Sequence, residues 1–450
     1  MSDKIKLKKG LDIRIKGAAE KILSPEIPVT HYAVKPVDFP GIVPYMMVKP
    51  GDLVKAGTTL FTDKLNPSIK FASPVSGKVV EVVRGERRKL FEVTVEVKGN
   101  EYVDFGKADP LKLNRELIIQ KLLESGLWPS VRQRPYHIIA RPEAIPKSIF
   151  ISGFDTSPLA PDNDFVMHNS DLGEFNTGIK ALTKLTDGKV NLVLDGSNIT
   201  GSVLKNTPGV NIHYVSGPHP AGNVGIQIHH IDPVCKGESV WYVNLQDVSA
   251  IGRLFSEGIY RHDRIVALAG SEIIKPGYHR IRSGASISGI IKDNLKGGEL
   301  RFISGNVLTG TAVSREGYLG FYDNVVSVIP EGKYHEFFGW ITPGFSKFSA
   351  TRTFMSSIIP KKEYLMDTNY HGGERAFVLT GVYEKVLPMD IYPMHLLKSI
   401  LAGNIEMMES LGIYEISEED FALCEYVCPS KIEIQSIVRS GIDMMIKEMS

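Results

Sequence analysis

Ser148-Ile-Phe-Ile-Ser-Gly-Phe154 and Lys189-Val-Asn-Leu-Val-Leu194 are short apolar runs of strand length. Between them Leu172, Phe175, Ile179, Leu182 and Leu185 recur at helical spacing. A strand, a helix and a strand in that order predict a parallel pair joined by a crossover helix. The pattern then repeats, with Gly209–Val215 and Ser239–Asn244 reading as strands and Val248–Phe255 as a helix. This stretch therefore predicts a doubly wound, mostly parallel sheet, and an α/β multidomain chain built around it.

Working outward, Asp109 is a good N-cap and Pro110 suits a first helical turn, which predicts a helix over 110–125. Its apolar face is formed by Leu117, Ile118 and Leu122, and Gly126 ends it. Further upstream, Val48–Gly85 holds β-branched runs separated by Pro-Gly, Ala-Gly and Ser-Gly turns, the pattern of small twisted strands. The spacing resembles the biotinyl/lipoyl barrel-sandwich hybrid. The resemblance puts a carrier lysine at Lys64, but Pro67 and about two extra residues before Ser73-Pro74 spoil the tight turn that presents it. A retained fold without cargo is expected.

Beyond 257, short strands surround one helix near 286–295, as in a small β-grasp module, and strand-like runs rich in Gly and aromatics continue over 301–360. The C-terminus reads as helical. Leu397, Leu401, Ile405, Met408 and Leu411 form a stripe ending at Gly412, and Ser430 with Glu433 form a capping box before Ile434. The expected division is 1–108 for an N-terminal segment and barrel-sandwich domain, 109–257 for a Rossmann-like α/β domain and 258–330 for the β-grasp module. Residues 331–450 complete it with a strand-rich connection and helices.

Lys plus Arg number 52 and Asp plus Glu 51, a net charge of +1 that speaks against nucleic acid as a partner. The basic N-terminus (Lys4, Lys6, Lys8, Lys9) and the cluster Arg84, Arg87, Arg88, Lys89 read as a solvated tail and a hairpin tip, with a docking surface as the alternative. Three cysteines cannot build a disulfide framework and suggest a reducing compartment. Residues 1–10 have no apolar core, so no secretory leader is expected. The longest stretch free of Asp, Glu, Lys and Arg, 206–231, is too rich in Gly, Pro, Asn and His to cross a bilayer as a helix.

Cofactor motifs are degenerate. The turn after Phe154, Asp155-Thr156-Ser157-Pro158-Leu159, lacks the glycines that bring backbone amides to a dinucleotide, so NADH binding in the usual mode is not expected. Gly173 and Gly178 have P-loop spacing, but Ile179 stands where lysine is required. His229, His230, Asp232 and Cys235 attract attention as metal ligands. Adjacent strand residues face opposite ways, however, and no second ligand pair closes a site. Cys424 and Cys428 end in C-x-x-x-C-P, like the last two cysteines of a ferredoxin run whose first two are missing, and read as an iron–sulfur remnant that binds nothing.

The most specific stretch is Val215-Ser-Gly-Pro-His-Pro-Ala-Gly-Asn-Val-Gly225, continuing through Ile228-His-His-Ile-Asp-Pro-Val234. It resembles the signature of the A-type subunit of the bacterial sodium-translocating NADH:quinone oxidoreductases. Lys9–Gly17, Asn244–Phe255, Arg301–Gly310 and Ser417–Lys431 resemble the same family in the same order. The resemblance implies a cofactor-free subunit on the cytoplasmic face of the bacterial inner membrane, docked on a membrane subunit. NADH, FMN, FAD, riboflavin and iron–sulfur are then carried by other subunits, and sodium export is coupled to reduction of ubiquinone or menaquinone. It also implies kinship with the NADH-oxidising subunit of complex I and with the C-type subunit of the Rnf complex. Ser283-Gly-Ala-Ser286 resembles the flavin-carrying Ser-Gly-Ala-Thr of other subunits, with Ser in place of the acceptor Thr. A quinone headgroup needs two donors and an apolar wall. That makes Gly217, Pro218, His219, Gly222, Gly225, His229 and His230 the quinone-contact candidates. An autonomous flavin- or lipoyl-dependent NADH-quinone reductase or carrier is the alternative.

Overall fold

A computed structural model describes residues 4–86, 89–334, 336–339, 341–358 and 363–448. The alternating pattern of 148–257 forms the predicted sheet. Across it the strands are ordered Lys4–Lys6, Asn211–Ser216, Lys189–Asp195, Ser148–Ser152, Val240–Val243, Val131–Arg134 and Ile138–Ile139. The first five run parallel, and the last two add an antiparallel hairpin at the edge. Central strands of such a sheet are covered on both sides and so are apolar throughout. Side chains alternate between the two faces: Ile149, Ile151, Leu192 and Trp241 meet the helices Leu172–Leu182 and Leu245–Glu257. Phe150, Val193, Val215 and Tyr242 face the helix Val224–Ile231 and the C-terminal helices. The direction of winding reverses between Ser148–Ser152 and Val240–Val243.

Upstream, a four-stranded sheet (His31–Val34, Leu90–Val97, Gly77–Arg84, Leu53–Val54) lies with a three-stranded one (Pro44–Met46, Thr59–Asp63, Lys70–Ala72). Buried Phe39, Phe61, Phe71, Val79 and Val93 belong to the core of this region, with Phe61 stacked on Phe71 at 4.5 Å. Lys64 is exposed on the turn between Thr59–Asp63 and Lys70–Ala72. Downstream, a six-stranded sheet places Asp263–Ala269 and Val325–Pro330 side by side and parallel, each with an antiparallel neighbour, Gly277–Arg282 and Leu300–Ser304. The short helix Ile287–Ile291 links the two halves.

Several expectations need correction. The N-terminus is no solvated tail. Lys4–Lys6 is an edge strand of the parallel sheet, Leu23–Ser24 joins the six-stranded sheet, and Leu7, Ile13 and Ile15 are buried. Arg84 does approach a hairpin tip, while Arg87 and Arg88 lie outside the described residues. The helix predicted over 110–125 is two elements: a 3-10 turn Pro110–Lys112 capped by Asp109, then Arg115–Ser125 with Asn114 as its own cap. Leu113 is extended between them, which turns the helix so that Leu117 faces solvent.

Among the described residues no strand forms between 331 and 382, because Gly332, Gly339, Pro343 and Gly344 interrupt the runs and no neighbouring strand offers a ladder. The stripe 397–411 is split into Pro393–Leu401 and Ile405–Ser410, with Leu401 exposed at the break. Ser430 donates to the Ala376 carbonyl instead of capping Ile434–Glu448; Glu425 accepts from the Gln435 amide there. Among the described residues no helix is long and apolar enough to cross a membrane.

Candidate functional site

The signature loop leaves the strand Asn211–Ser216 and is enclosed by other parts of the chain. Gly217 has φ 147°, in glycine's region, and a Cβ there would lie 2.8 Å from the Leu7 carbonyl oxygen. The N-terminal segment brackets the loop: Leu11 N–H donates to the His219 carbonyl at 2.9 Å, and Asp12 accepts from the His219 amide at 3.0 Å. The His219–Pro220 peptide is cis. Gly222 packs on the turn after the strand Ser148–Ser152, where a Cβ would stand 2.5 Å from Thr156 N. Gly222 N–H also donates to Thr156 Oγ1 at 2.9 Å. In this way the loop's own backbone packs closely against the Asp155–Thr156 turn.

His219 is buried, with Nδ1 at 3.2 Å from Thr156 Oγ1 and Nε2 without a partner among the described residues. Burial alone pulls its pKa down to about 4, so it is neutral at pH 7. His229 and His230 lie on the helix Val224–Ile231, not on the strand assumed for them. The stretch V-G-I-Q-I-H-H-I fits both periods, and the fully buried Ile226 and Ile228 alternate as they would in a strand. His229 Nε2 accepts from the Asp390 amide at 3.0 Å, so the proton sits on Nδ1, 2.6 Å from Glu415. His230 Nε2 donates to the Pro388 carbonyl at 2.7 Å. Burial holds His230 below its ordinary value. These two rings bolt the helix to residues 388–415, while His219 faces the N-terminal segment and Thr156. The structure therefore does not give the three histidines a shared set of partners.

Asp232 accepts from Ser148 Oγ at 2.6 Å and pairs with Lys147 at 2.9 Å, whereas Cys235 is exposed. Among the described residues no cluster of His, Cys, Asp and Glu is arranged for a metal ion. Gly173 and Gly178 both lie in the helix Leu172–Leu182, where Gly178 gives room to Val248. Cys424 and Cys428 are buried. Burial pushes the Cys424 thiol well above its usual range, and the Tyr383 hydroxyl lies 2.9 Å from Cys428 Sγ. A cluster ligand must be a thiolate, which burial disfavours at Cys424. Ser286 is also buried, at the start of the helix Ile287–Ile291.

Two polar clusters that no sequence motif singled out lie at the seams of the parallel-sheet domain. In the first, Asp247 Oδ1 accepts from His262 Nε2 at 2.7 Å and from Arg264 at 2.6 Å, with all three side chains fully buried. Arg264 also donates to Asn324 at 2.7 Å, and its pairing with Asp247 fixes the six-stranded sheet to the helix Leu245–Glu257. Asp247 falls within the Asn244–Phe255 stretch, and that was the available signal. In the second cluster, buried Arg134 bridges Asp420 at 3.0 Å and Glu419 at 2.9 Å. A Cβ on Gly225 would come within 2.5 Å of Asp420 and 2.8 Å of Arg134. The signature's last glycine thus makes room for a buried ion pair.

Comparison with known proteins agrees with this architecture. The family model for the NqrA N-terminal barrel-sandwich hybrid domain matches residues 5–98, that for the NqrA second alpha/beta domain 113–260, and that for the NQRA C-terminal domain 265–315. The A-type subunit of the Na(+)-translocating NADH-quinone reductase of Yersinia pseudotuberculosis is 43% identical over 99% of this chain and all of its own length. The proteins of that name from Actinobacillus pleuropneumoniae (43%) and Photorhabdus laumondii (41%) match over the same shares. Two solved chains of the NAD+-reducing [NiFe]-hydrogenase share only 10% identity, cover 68% and 78% of this chain and 55% and 67% of their own, and reach TM-scores of 0.35 and 0.37, too little to add to this.

Proposed function

The chain belongs to the NqrA family, the A-type subunits of Na(+)-translocating NADH-quinone reductases, and from that premise we propose that it is a peripheral, cofactor-free member of such a complex. The enzyme of which it is a part reduces quinone with NADH and moves sodium ions. Its place is the cytoplasmic face, held by a membrane subunit, and its share of the work is to assemble and brace the complex. The observation that carries this reading is the full-length match at 43% identity. The chemistry of the chain supports the absence of a redox centre. It has three cysteines where a tetranuclear cluster takes four thiolates, and two of them are buried away from the exposed Cys235.

Domain names follow from the same premise: a Rossmann-like unit over about 109–257 and a β-grasp, SLBB-like unit over 258–330. The central parallel pair flanked by two hairpins and one helix supports the second name.

A second reading, direct contact with ubiquinone or menaquinone, is favoured by one atom. Among the described residues His219 Nε2 is buried without a partner, whereas His229 and His230 are already engaged. An absorbance spectrum with intact mass of the purified chain tests the cofactor-free reading. A colourless protein of unmodified mass is expected. Flavin or iron–sulfur bands, or a lipoyl increment on Lys64, would replace it with an autonomous redox or carrier protein.

A further inference from the structure

Residues 4–16, Lys-Ile-Lys-Leu-Lys-Lys-Gly-Leu-Asp-Ile-Arg-Ile-Lys, form a strap that crosses several parts of the molecule. Lys4–Lys6 closes the edge of the parallel sheet against Asn211–Ser216, and Gly10 N–H donates to the Lys385 carbonyl at 3.1 Å. Further along, Lys16 N–H donates to the Tyr364 carbonyl at 2.9 Å, and the Gly17 carbonyl accepts from the Gly270 amide at 2.8 Å. The apolar side chains of the strap turn inward. Leu7, Ile13 and Ile15 are buried, and Ile5 and Leu11 pack against the same core.

The basic side chains turn outward: Lys4, Lys6, Lys8, Lys9, Arg14 and Lys16 are all exposed. Against these six cations stands one carboxylate, Asp12, so residues 4–16 carry +5 while the whole chain sums to +1. Asp12 is itself taken up by the His219 amide. Among the described residues none of the six makes an ion pair or a side-chain hydrogen bond within the chain. Lys21, the next cation along, is the first that does, at 2.5 Å from Asp162. On extended chain, side chains two residues apart stand about 7 Å from each other. That is within the Debye length of about 8 Å at physiological salt, so the attractions of successive lysines add.

We infer that this strap is a contact surface for the anionic headgroups of a lipid bilayer, held there by lysine charge without insertion of apolar side chains. The inference rests on the reading of the chain as a peripheral subunit of a membrane complex. Two observations favour lipid over a protein partner. Five of the six cations are lysines, which protein interfaces deplete, and the strap turns no apolar side chain outward to form an interface centre. Clusters of four to eight Lys and Arg are, by contrast, what an anionic bilayer surface attracts. The strap's backbone is also already fixed at both ends on the folded body, so the charges are presented at little ordering cost. Lysines on an open edge strand discourage pairing with a second strand. That accounts for Lys4 and Lys6, whereas Lys8, Lys9, Arg14 and Lys16 lie outside the strand Lys4–Lys6.

The test is flotation of the purified full-length chain with vesicles, as wild type and as the variant K4Q/K6Q/K8Q/K9Q. The wild type should bind phosphatidylcholine–phosphatidylglycerol vesicles, leave them as sodium chloride is raised, and ignore phosphatidylcholine alone. Each cation near such a surface strengthens binding about fivefold. The variant should therefore bind at least about a hundredfold more weakly, with its urea midpoint unchanged. K8Q/K9Q, outside the edge strand, serves if the quadruple variant unfolds, and should lose about 25-fold. Absence of wild-type binding, equal binding by the variants, or equal binding to phosphatidylcholine alone would overturn the lipid surface. Release by inorganic phosphate, at an ionic strength where sodium chloride does not release, would make it a discrete phosphate site instead. The premise is read separately, by co-expressing the tagged chain with the other subunits and purifying in detergent. Failure of the wild type to recover any of them would overturn membership of the complex. Loss of them by the quadruple variant alone, with no bilayer present, would assign the strap to a protein partner and overturn the lipid surface.

Discussion

The parallel-sheet domain is held to its neighbours by two buried ionic seams that are built in opposite ways. At the seam with the six-stranded sheet, one carboxylate, Asp247, serves two bases, His262 and Arg264. At the seam with the C-terminal helices, one guanidinium, Arg134, is served by two carboxylates, Glu419 and Asp420. A buried ion pair contributes little net stability as a pair, but removing one partner strands the other in low dielectric. The stoichiometry of each seam therefore decides which residue it cannot lose. Asp247 has no substitute, whereas Arg134 keeps one carboxylate when the other is removed.

The largest expected effect is at Asp247. Asp247→Ala leaves His262 and Arg264 buried without a carboxylate, and Arg264 keeps its hydrogen bond to Asn324. Urea denaturation should register a loss of about 3–5 kcal/mol. Asp420→Ala should lose less, about 2–3 kcal/mol, because Glu419 still faces Arg134, although the Ser417 amide that Asp420 accepts at 2.9 Å is also orphaned. If Asp420→Ala proves the more damaging, stoichiometry is not what ranks the seams.

The comparison can be sharpened with pH. Burial and the neighbouring Arg264 hold His262 below its ordinary value despite Asp247, so the folded state resists protonating it. The unfolded chain binds that proton near pH 6.5. Its contribution is thus complete above about pH 6.5 and is lost as pH falls toward the folded value. Asp247 acts in the same direction at lower pH. Burial pushes it up, but Arg264 and His262 outweigh burial and hold it low, so its contribution falls away with acid. Glu419 has the reverse sign: burial raises it more than Arg134 lowers it, and its contribution declines as pH rises through the folded value. Acid should therefore weaken the first seam, while the contribution of Glu419 to the second persists. His262→Gln should flatten the stability profile between pH 6.5 and 5 by at most about 1.4 kcal/mol per pH unit. An unchanged profile would remove His262 from the account.

The two seams also differ in how far the sequence announced them. The apolar runs of the parallel strands stood out because strands covered on both faces must be apolar, and the Gly126 stop stood out because left-handed backbone favours glycine. Asp247, His262 and Arg264 lie within 18 residues of one another, in and just after a stretch that already looked distinctive. Glu419 and Asp420 also fall in a stretch that looked distinctive, Ser417–Lys431, but Arg134 is 285 residues from Glu419, and no local pattern joins residues so far apart. The signature glycines drew attention to the adjacent histidines as ligand contacts, yet Gly222 and Gly225 pack against Thr156 and Asp420 of this same chain. A glycine marks close approach without saying what approaches. The aromatic runs after 331 failed as strands for a related reason: alternation predicts a ladder only where a neighbouring strand exists.

The smallest effect is expected at Glu419, and it tests the stoichiometric argument most directly. The second seam carries one more carboxylate than Arg134 alone balances, and burial raises Glu419 above the usual carboxylate range. Glu419→Gln removes that excess charge, keeps a side-chain oxygen within reach of Arg134, and leaves the buried Arg134–Asp420 pair at one to one. The Glu419 side chain is 28% exposed, so solvent screens part of whatever is lost. Stability at pH 7 should move by no more than about 1 kcal/mol in either direction, and the variant should lose the decline with rising pH that Glu419 contributes. A loss as large as that of Asp420→Ala would mean that Arg134 needs both carboxylates, and the two seams would then be equally intolerant of losing a partner.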